Sequence, residues 1–173
     1  VFAMTPTAPI ASIDVQFSFD CVGADPAPIN VGLNTLLLSA SNTPVPDIVA
    51  LAVTLSNDGI MNIPGTNGAG AFAVATVNVG AGGSITASAD TGNATLPVVI
   101  SLCETNPPTG QCISTIGPTV MTTINSNATP TFAIFVQGNG NVPFDPAGNR
   151  IFVRFKDGGG VTRGSTSVAV RTQ

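Results

Sequence analysis

The stretch RFKDGGGVTRGSTSVAV (154–170) contains two runs with a β-strand pattern on either side of three consecutive glycines. Glycine adopts the backbone angles that tight turns between strands require. The stretch therefore predicts an antiparallel hairpin near the end of the chain. TVNVGAGGSITAS (76–88) has the same layout and predicts a second hairpin.

Turn-forming sequences recur along the whole chain and separate short apolar or alternating runs. No segment shows a 3.6-residue period with helix caps, and many short strands at such spacing are typical of a sandwich or barrel. We therefore predict an all-β fold, an antiparallel immunoglobulin-like β-sandwich with an N-terminal two-strand extension. The predicted strands are 12–21, 33–40, 48–56, 71–79, 84–89, 97–103, 111–115, 119–125, 131–137, 150–156 and 165–171.

The prolines at positions 44 and 46 favour a domain boundary. Residues 47–173 contain about nine predicted strands, enough for a complete sandwich. Residues 1–46 then form an N-terminal arm and the two-strand extension.

The first predicted strand lies in IASIDVQFSFDC (10–21), which alternates between polar and apolar residues from Ser12 onward. Such a strand has one apolar face. That face either completes the fold of its own chain or is donated to an edge strand of a neighbouring copy. The candidate assembly residues on it are Ile13, Val15, Phe17, Phe19 and Cys21.

The composition excludes several kinds of partner. Charged residues make up 8% of the chain, the net charge is −4, and the mean hydropathy is +0.42. Nucleic acids and anionic membrane surfaces attract clusters of Lys and Arg, which are missing here. No apolar run reaches the length of a membrane span, about 18 residues. The expected partners are copies of the chain itself or other surface proteins.

The residue types also argue against catalysis. The chain has no histidine, so Ser-His-Asp and Cys-His nucleophile systems are impossible. Its acidic residues lie mostly in turn sequences, where Asp commonly bonds its own backbone. We expect a protein that is not an enzyme and has no cofactor. Asp145, Asn149 and Asp157 are weak calcium candidates, because oxygen ligands flank strand 150–156, and plain turns are the alternative.

The three cysteines differ in their surroundings. Cys103 and Cys112 flank ETNPPTGQ, and a hairpin there would bring them to bridging distance. We predict a Cys103–Cys112 disulfide and hence an oxidising compartment. Cys21 is then left as a buried free thiol, as an intermolecular bridge, or as a partner of Cys103 or Cys112 in a different pairing.

Three stretches resemble immunoglobulin-like modules of large secreted or cell-surface bacterial proteins: 72–92, 96–114 and 141–172. The resemblance implies a secreted or cell-surface location and a structural or adhesive role, and it implies no functional residues. We therefore expect an extracellular structural subunit that self-assembles into a filament, sheath or surface layer, with β-strand exchange as one route. The alternative is an adhesive or ligand-binding module, or an accessory domain of a surface complex.

Overall fold

A computed structural model describes residues 5–173, so the first four residues of the predicted arm lie outside the described residues. The described part contains eleven strands and no α-helix, which confirms the all-β prediction. The strands are β1 (Ile10–Gln16), β2 (Thr35–Ala40), β3 (Ile48–Val53), β4 (Ile60–Ile63), β5 (Ala69–Asn78), β6 (Gly83–Asp90), β7 (Val98–Thr105), β8 (Thr119–Ile124), β9 (Thr131–Gly138), β10 (Arg150–Asp157) and β11 (Thr162–Thr172).

Nine of these strands form two packed sheets, which confirms the β-sandwich. One sheet has five strands in the order β4-β11-β10-β6-β8, and the other has four in the order β3-β5-β9-β7. β4 runs parallel to β11, whereas the other paired strands are antiparallel. β1 and β2 pair with each other in a separate two-stranded sheet.

The hydrophobic core lies between the two large sheets. Alternate residues of each strand point inward, as the burial pattern of β9 shows, where Phe132, Ile134 and Val136 are fully buried. The rings of Phe132 and Phe155 meet across the sheets with centroids 5.3 Å apart. None of the described residues before Ile48 belongs to the core cluster. The β1–β2 hairpin therefore contributes no side chain to it.

The hairpin predicted at 154–170 is confirmed. β10 and β11 pair from Arg150↔Ala169 to Lys156↔Thr162, with an irregularity after Phe155. The carboxylate of Asp157 accepts hydrogen bonds from the backbone N–H groups of Gly159 and Val161. This side chain and the glycines close the turn as the sequence predicted.

The hairpin predicted at 76–88 is wrong, because β5 and β6 belong to different sheets. After β5 the chain follows the segment before β3: Val79 N donates to Asp47 O at 2.8 Å, and Ala81 N donates to Val45 O at 2.9 Å. These bonds carry the chain across the sandwich, so the glycine-rich segment is a crossover.

Asn78 holds this crossover in place and is fully buried. Its Oδ1 accepts from Asp47 N and Gly80 N, each at 3.0 Å. Its Nδ2 donates to Ala81 O at 2.8 Å and to Ile124 O at 3.0 Å. A buried amide whose donors and acceptors are all paired fixes the path of the chain, because any other path would leave them unpaired.

One strand was missed, and one further predicted strand does not form. β4 (Ile60–Ile63) was not predicted, because its four residues follow closely on a turn. The strand predicted at 111–115 does not form: only single bridges join this segment to β7, Thr105↔Cys112 and Leu102↔Gly117. The segment is held by these bridges and by a disulfide rather than by a regular ladder.

Candidate assembly surface

The first strand is shorter than the alternating pattern predicted. β1 ends at Gln16, which pairs with Thr35 at the start of β2. Phe17, Phe19 and Cys21 therefore lie outside any strand, which corrects the predicted strand at 12–21. The chain turns away after Gln16: Ala24 N donates to Cys21 O, and Ala27 N donates to Phe19 O. The alternation of polar and apolar residues continues beyond Gln16, but β2 provides no partner residue there.

The apolar face of the hairpin points away from its own sandwich. Ile13 pairs with Leu38 and Val15 pairs with Leu36, so these four side chains share one face. Ile13 is 48% exposed and Leu36 is 43% exposed, while Val15 and Leu38 are half-buried. The expected assembly residues thus include an exposed Ile13, although Phe17 is half-buried and off the strand.

The other face of the hairpin lies towards the sandwich. Asp14, Thr35 and Leu37 line a cleft of about 290 Å³ whose opposite wall includes Ile48 and Gly164. Asp14 Oδ1 accepts a hydrogen bond from Thr35 Oγ1 at 2.7 Å within the hairpin. The face that carries Asp14 and Thr35 therefore lies along the cleft together with Leu37, and Leu36 also lines the cleft. On the opposite face Ile13 is exposed, and Leu36 remains partly exposed.

The loop between β1 and β2 is anchored on Phe152, a residue of β10 that points away from the core. A Cβ added to Gly32 would lie 2.8 Å from this ring, and one added to Gly92 would lie 2.7 Å from its other edge. Both glycines have positive φ, which side-chain-bearing residues rarely adopt. The N-terminal segment is thus held against the five-stranded sheet by a ring between two glycines.

The outer face of the four-stranded sheet is uncharged. Strand pairing and alternation place sixteen side chains on it, and most are apolar and small. Leu51 is 66% exposed and Val99 is 62% exposed. The set consists of Val49, Leu51, Val53, Ala69, Ala71, Ala73, Ala75, Val77, Val99, Ser101, Cys103, Thr105, Thr131, Ala133, Phe135 and Gln137, of which Cys103 and Thr105 are buried.

A groove of about 540 Å³ lies at one end of this face. Its floor includes Ala71, Val99 and Phe135, and its wall includes Leu55 and the edge strand β4. Leu55 is almost fully exposed. The groove is open and apolar, with Ser101 and Gln137 among its polar side chains.

The outer face of the five-stranded sheet is charged instead. Arg150, Arg154 and Lys156 alternate with inward residues along β10. Arg154 Nε donates to Asp90 Oδ2 at 2.7 Å, and its guanidinium carbon lies 5.0 Å from the centre of the Phe152 ring. Burial acts to raise the pKa of Asp90, but the Arg154 hydrogen bond and charge outweigh it and hold that pKa below its ordinary value of 3.8. The two outer faces therefore differ sharply in polarity.

The Cys103–Cys112 disulfide is confirmed, with 5.7 Å between the two Cα atoms. Its loop covers part of the free edge of β7: Leu102 N donates to Gly117 O at 2.8 Å, and Ile113 N donates to Glu104 O at 2.8 Å. Covering an edge in this way blocks the addition of another strand there. The disulfide thus closes one end of the four-stranded sheet.

Cys21 is exposed and unpaired. This excludes its pairing with Cys103 or Cys112, and it corrects the expectation of a buried thiol. The physical reason is the early end of β1, which leaves Cys21 in a surface turn.

The three calcium candidates do not converge. Asp145 and Asn149 precede β10, whereas Asp157 ends it, so roughly 25 Å of strand separates them. Asp145 Oδ1 accepts from Ala147 N and Gly148 N, and Asp157 Oδ2 accepts from Arg163 Nε. Within residues 5–173, no three His, Cys, Asp or Glu side chains are grouped as a metal site would require.

The described part of the chain has no helix that could cross a membrane. No protein-family model matches the chain, and no curated protein shows significant sequence similarity to it. The resemblance to immunoglobulin-like modules therefore stays a prediction.

Sequence reasoning missed the uncharged outer face, although the sequence contains a signal for it. β3 reads IVALAV, and β5 and β9 contain FAVA and FAIFV, whereas Ser101 interrupts the apolar run VVISL of β7. Unbroken apolar runs are typical of strands covered on both faces. The strands of the five-stranded sheet contain more polar and charged residues, as in RIFVRFK and GSITASA.

Proposed function

We propose that this protein is a non-enzymatic, extracellular structural subunit that assembles with copies of itself into a filament, sheath or surface layer. The observation that carries the proposal is the β1–β2 hairpin, whose apolar face points away from its own core.

A two-stranded hairpin is marginally stable in water without a hydrophobic surface to pack against. Here Asp14 and Thr35 face the cleft, whereas Ile13 remains exposed on the other side and Leu36 is 43% exposed at the cleft. The loop that follows exposes more apolar side chains, including Phe19 and Val22. Apolar side chains exposed in one segment of the chain are expected at an interaction site when they form a joint patch.

Docking of the hairpin on a different patch of a neighbour makes a head-to-tail contact. Such a head-to-tail contact repeats without closing unless the rotation between subunits forms a ring. Open repetition produces filaments or layers. Strand exchange, in which β1 leaves β2 and pairs with a neighbour's edge, is one route, and docking of the intact hairpin is the other.

The disulfide supports an oxidising, extracellular compartment. The surface supports a subunit that is covered by its neighbours: only 8% of residues are charged, so copies repel each other weakly. The lack of histidine supports a role without catalysis.

Electron microscopy and size-exclusion chromatography of the purified chain test the proposal. We expect polymers from the wild type and monomers from Ile13→Asp, because a carboxylate at this position would be buried without a partner. Thr123→Asp, at an exposed position of β8, is the matched control and should polymerise. Monodisperse wild-type monomers at high concentration would refute self-assembly.

A cross-linked hairpin separates the two routes. Asp14 and Leu37 are directly paired, so Asp14→Cys with Leu37→Cys, in a Cys21→Ser background, can join the two strands covalently. Docking of the intact hairpin predicts normal polymers from the oxidised variant. Strand exchange predicts polymers only after reduction.

The groove on the four-stranded sheet favours a second candidate, an adhesive or ligand-binding module of a surface complex. Its volume of about 540 Å³ and its apolar floor fit a small apolar ligand or a partner's side chains. Tryptophan and tyrosine, which commonly stack on sugars, do not occur in the chain. Binding to host or bacterial surface preparations by a chain that stays monomeric would favour this candidate over the first.

A further inference from the structure

We propose that the apolar face of the β1–β2 hairpin docks on the uncharged outer face of the four-stranded sheet of a second copy. This inference rests on the proposed self-assembly and names the two surfaces that meet. The donor face is formed by Ile13, Val15, Leu36 and Leu38. The acceptor face is centred on Ala73 and its neighbours across β3 and β9.

The first argument is the sequence of the acceptor sheet. Three of its four strands, β3, β5 and β9, contain unbroken runs of four or more apolar residues, which are typical of a sheet covered on both faces. The core covers the inner face, and Leu51 and Val99 on the outer face are exposed in the single chain. The composition of the strands therefore indicates that a second layer covers the outer face.

The second argument is the match between the two surfaces. Neither carries a charged side chain, so no ion must lose its water when they meet. The row of alanines along β5 lets another sheet approach to the usual distance, about 10 Å. A two-stranded hairpin spans about half the width of a four-stranded sheet. Phe19 and Val22 of the following loop are exposed as well.

The third argument is the polarity of the other surfaces. The outer face of the five-stranded sheet carries Arg150, Arg154 and Lys156, and Phe152 there is already covered by the loop at Gly32. An apolar hairpin that docked there would have to desolvate these charged side chains. The free edge of β7 is partly closed by the disulfide loop. Among the described surfaces, the four-stranded face is the one that matches the hairpin.

Chemical cross-linking between two different chains tests the contact directly. In a Cys21→Ser background, one chain carries Ile13→Cys and the other carries Ala73→Cys. A short bismaleimide should join them into a mixed dimer at several-fold higher yield than it joins Ile13→Cys to Met121→Cys. Met121 is an exposed position on the five-stranded sheet and serves as the matched control. Equal yields, or Ile13→Cys chains joined mainly to each other, would overturn the proposal.

Charge substitutions on the acceptor provide the second test. Ala73→Glu and Leu51→Glu place a carboxylate on an exposed surface of the single chain, so each should fold with an unchanged circular dichroism spectrum. Each should raise the concentration needed for assembly at least ten-fold, whereas Met121→Glu should leave it unchanged. Assembly of both acceptor variants at the wild-type concentration would overturn the proposal.

The two proposals fail in different ways. Wild-type chains that stay monomeric overturn both the self-assembly and the docking surface. Wild-type chains that polymerise without an Ile13–Ala73 cross-link overturn the docking surface alone, and the assembly then uses another contact.

Discussion

At the scale of single residues, Asn78 fixes the crossover between the two sheets, a feature that no local sequence pattern predicts. Its amide joins residues 47, 80, 81 and 124, which are brought together by the crossover between the sheets. Because the side chain is fully buried, each of these bonds is made without competition from water. Removing the amide would leave two backbone N–H groups and two carbonyls without this partner.

We therefore expect Asn78→Ala to lower the free energy of unfolding by about 2–4 kcal/mol, the cost of several buried groups left unpaired. Urea denaturation followed by circular dichroism measures this. Asn139→Ala, at an exposed position, is the matched control and should change stability by less than about 0.5 kcal/mol. Equal effects of the two variants would contradict the role assigned to Asn78.

Asp157 is the second decisive residue, because it joins the β10–β11 turn to Arg163 at 2.7 Å. Burial acts to raise its pKa, but the hydrogen bonds from Arg163 and Val161 and the Arg163 charge outweigh it and lower the pKa below 3.8. The folded chain therefore binds this proton less readily than the unfolded chain does. The stability that the carboxylate contributes is complete above pH 3.8 and is lost as the pH falls through the folded value.

From this we predict that Asp157→Asn is less stable than the wild type by about 1–3 kcal/mol at neutral pH, the range for hydrogen bonds to charged groups. The difference should shrink below pH 4. Denaturation curves across the acid range, with Asp25→Asn in an exposed loop as the control, give the comparison. A difference that stays constant with pH would show that the charge of Asp157 is not responsible.

At the scale of the elements, the disulfide loop and the edge of β7 act together. The loop returns along β7 and pairs with Leu102 and Glu104. Cys112 is exposed, whereas Cys103 is fully buried. Cutting the bridge at Cys112 therefore frees the loop without creating a buried hydroxyl.

Cys112→Ser should lower the free energy of unfolding by about 2–3 kcal/mol, the usual effect of a short disulfide loop. It should also speed the exchange of the Leu102 and Ile113 amide hydrogens, which NMR measures. Cys21→Ser is the matched control because that thiol is exposed and unpaired. Unchanged exchange would mean that backbone pairing alone holds the loop.

The loop from Phe17 to Asn34 depends on one ring of the five-stranded sheet. Phe152→Ala should release Gly32 from its contact and leave this segment more open to proteases. We expect chymotrypsin to cut at Phe17 or Phe19 several-fold faster than in the wild type, with the sandwich still folded by circular dichroism. Met121→Ala is the control. Chymotrypsin cleavage that begins within the strands of the β-sandwich would indicate global unfolding instead.

The elements also show how much of the fold could be predicted from the sequence. The β10–β11 hairpin and the disulfide were predictable because the glycines and the cysteines act over short distances. The 76–88 crossover was not, since glycine-rich links look alike whether the chain returns within a sheet or crosses to another. The end of β1 depends on where β2 begins, and the outward direction of its apolar face depends on how the hairpin lies over Ile48 and Gly164.

At the scale of the whole molecule, the two outer faces assign different roles to the two sheets. The five-stranded sheet carries Arg150, Arg154 and Lys156 on its outer face, and the four-stranded sheet presents alanine and valine. An assembly through the second face contains no ion pairs, so salt has little to screen.

The concentration needed for assembly should therefore change less than about two-fold between low and high sodium chloride. Ammonium sulfate should lower it, because excluded salts strengthen apolar burial. Light scattering across a dilution series measures both. A steep rise of this concentration with sodium chloride would indicate an interface built on charge.

The location of the lysine and arginine residues also determines where trypsin can cleave this chain. All five lie in β10 and β11, and none precedes Arg150. Trypsin therefore needs these two paired strands to separate before it can cleave them. A cut after Arg150 would release residues 1–150 as one fragment. The rate at which that fragment appears reports how readily this hairpin opens in the native protein.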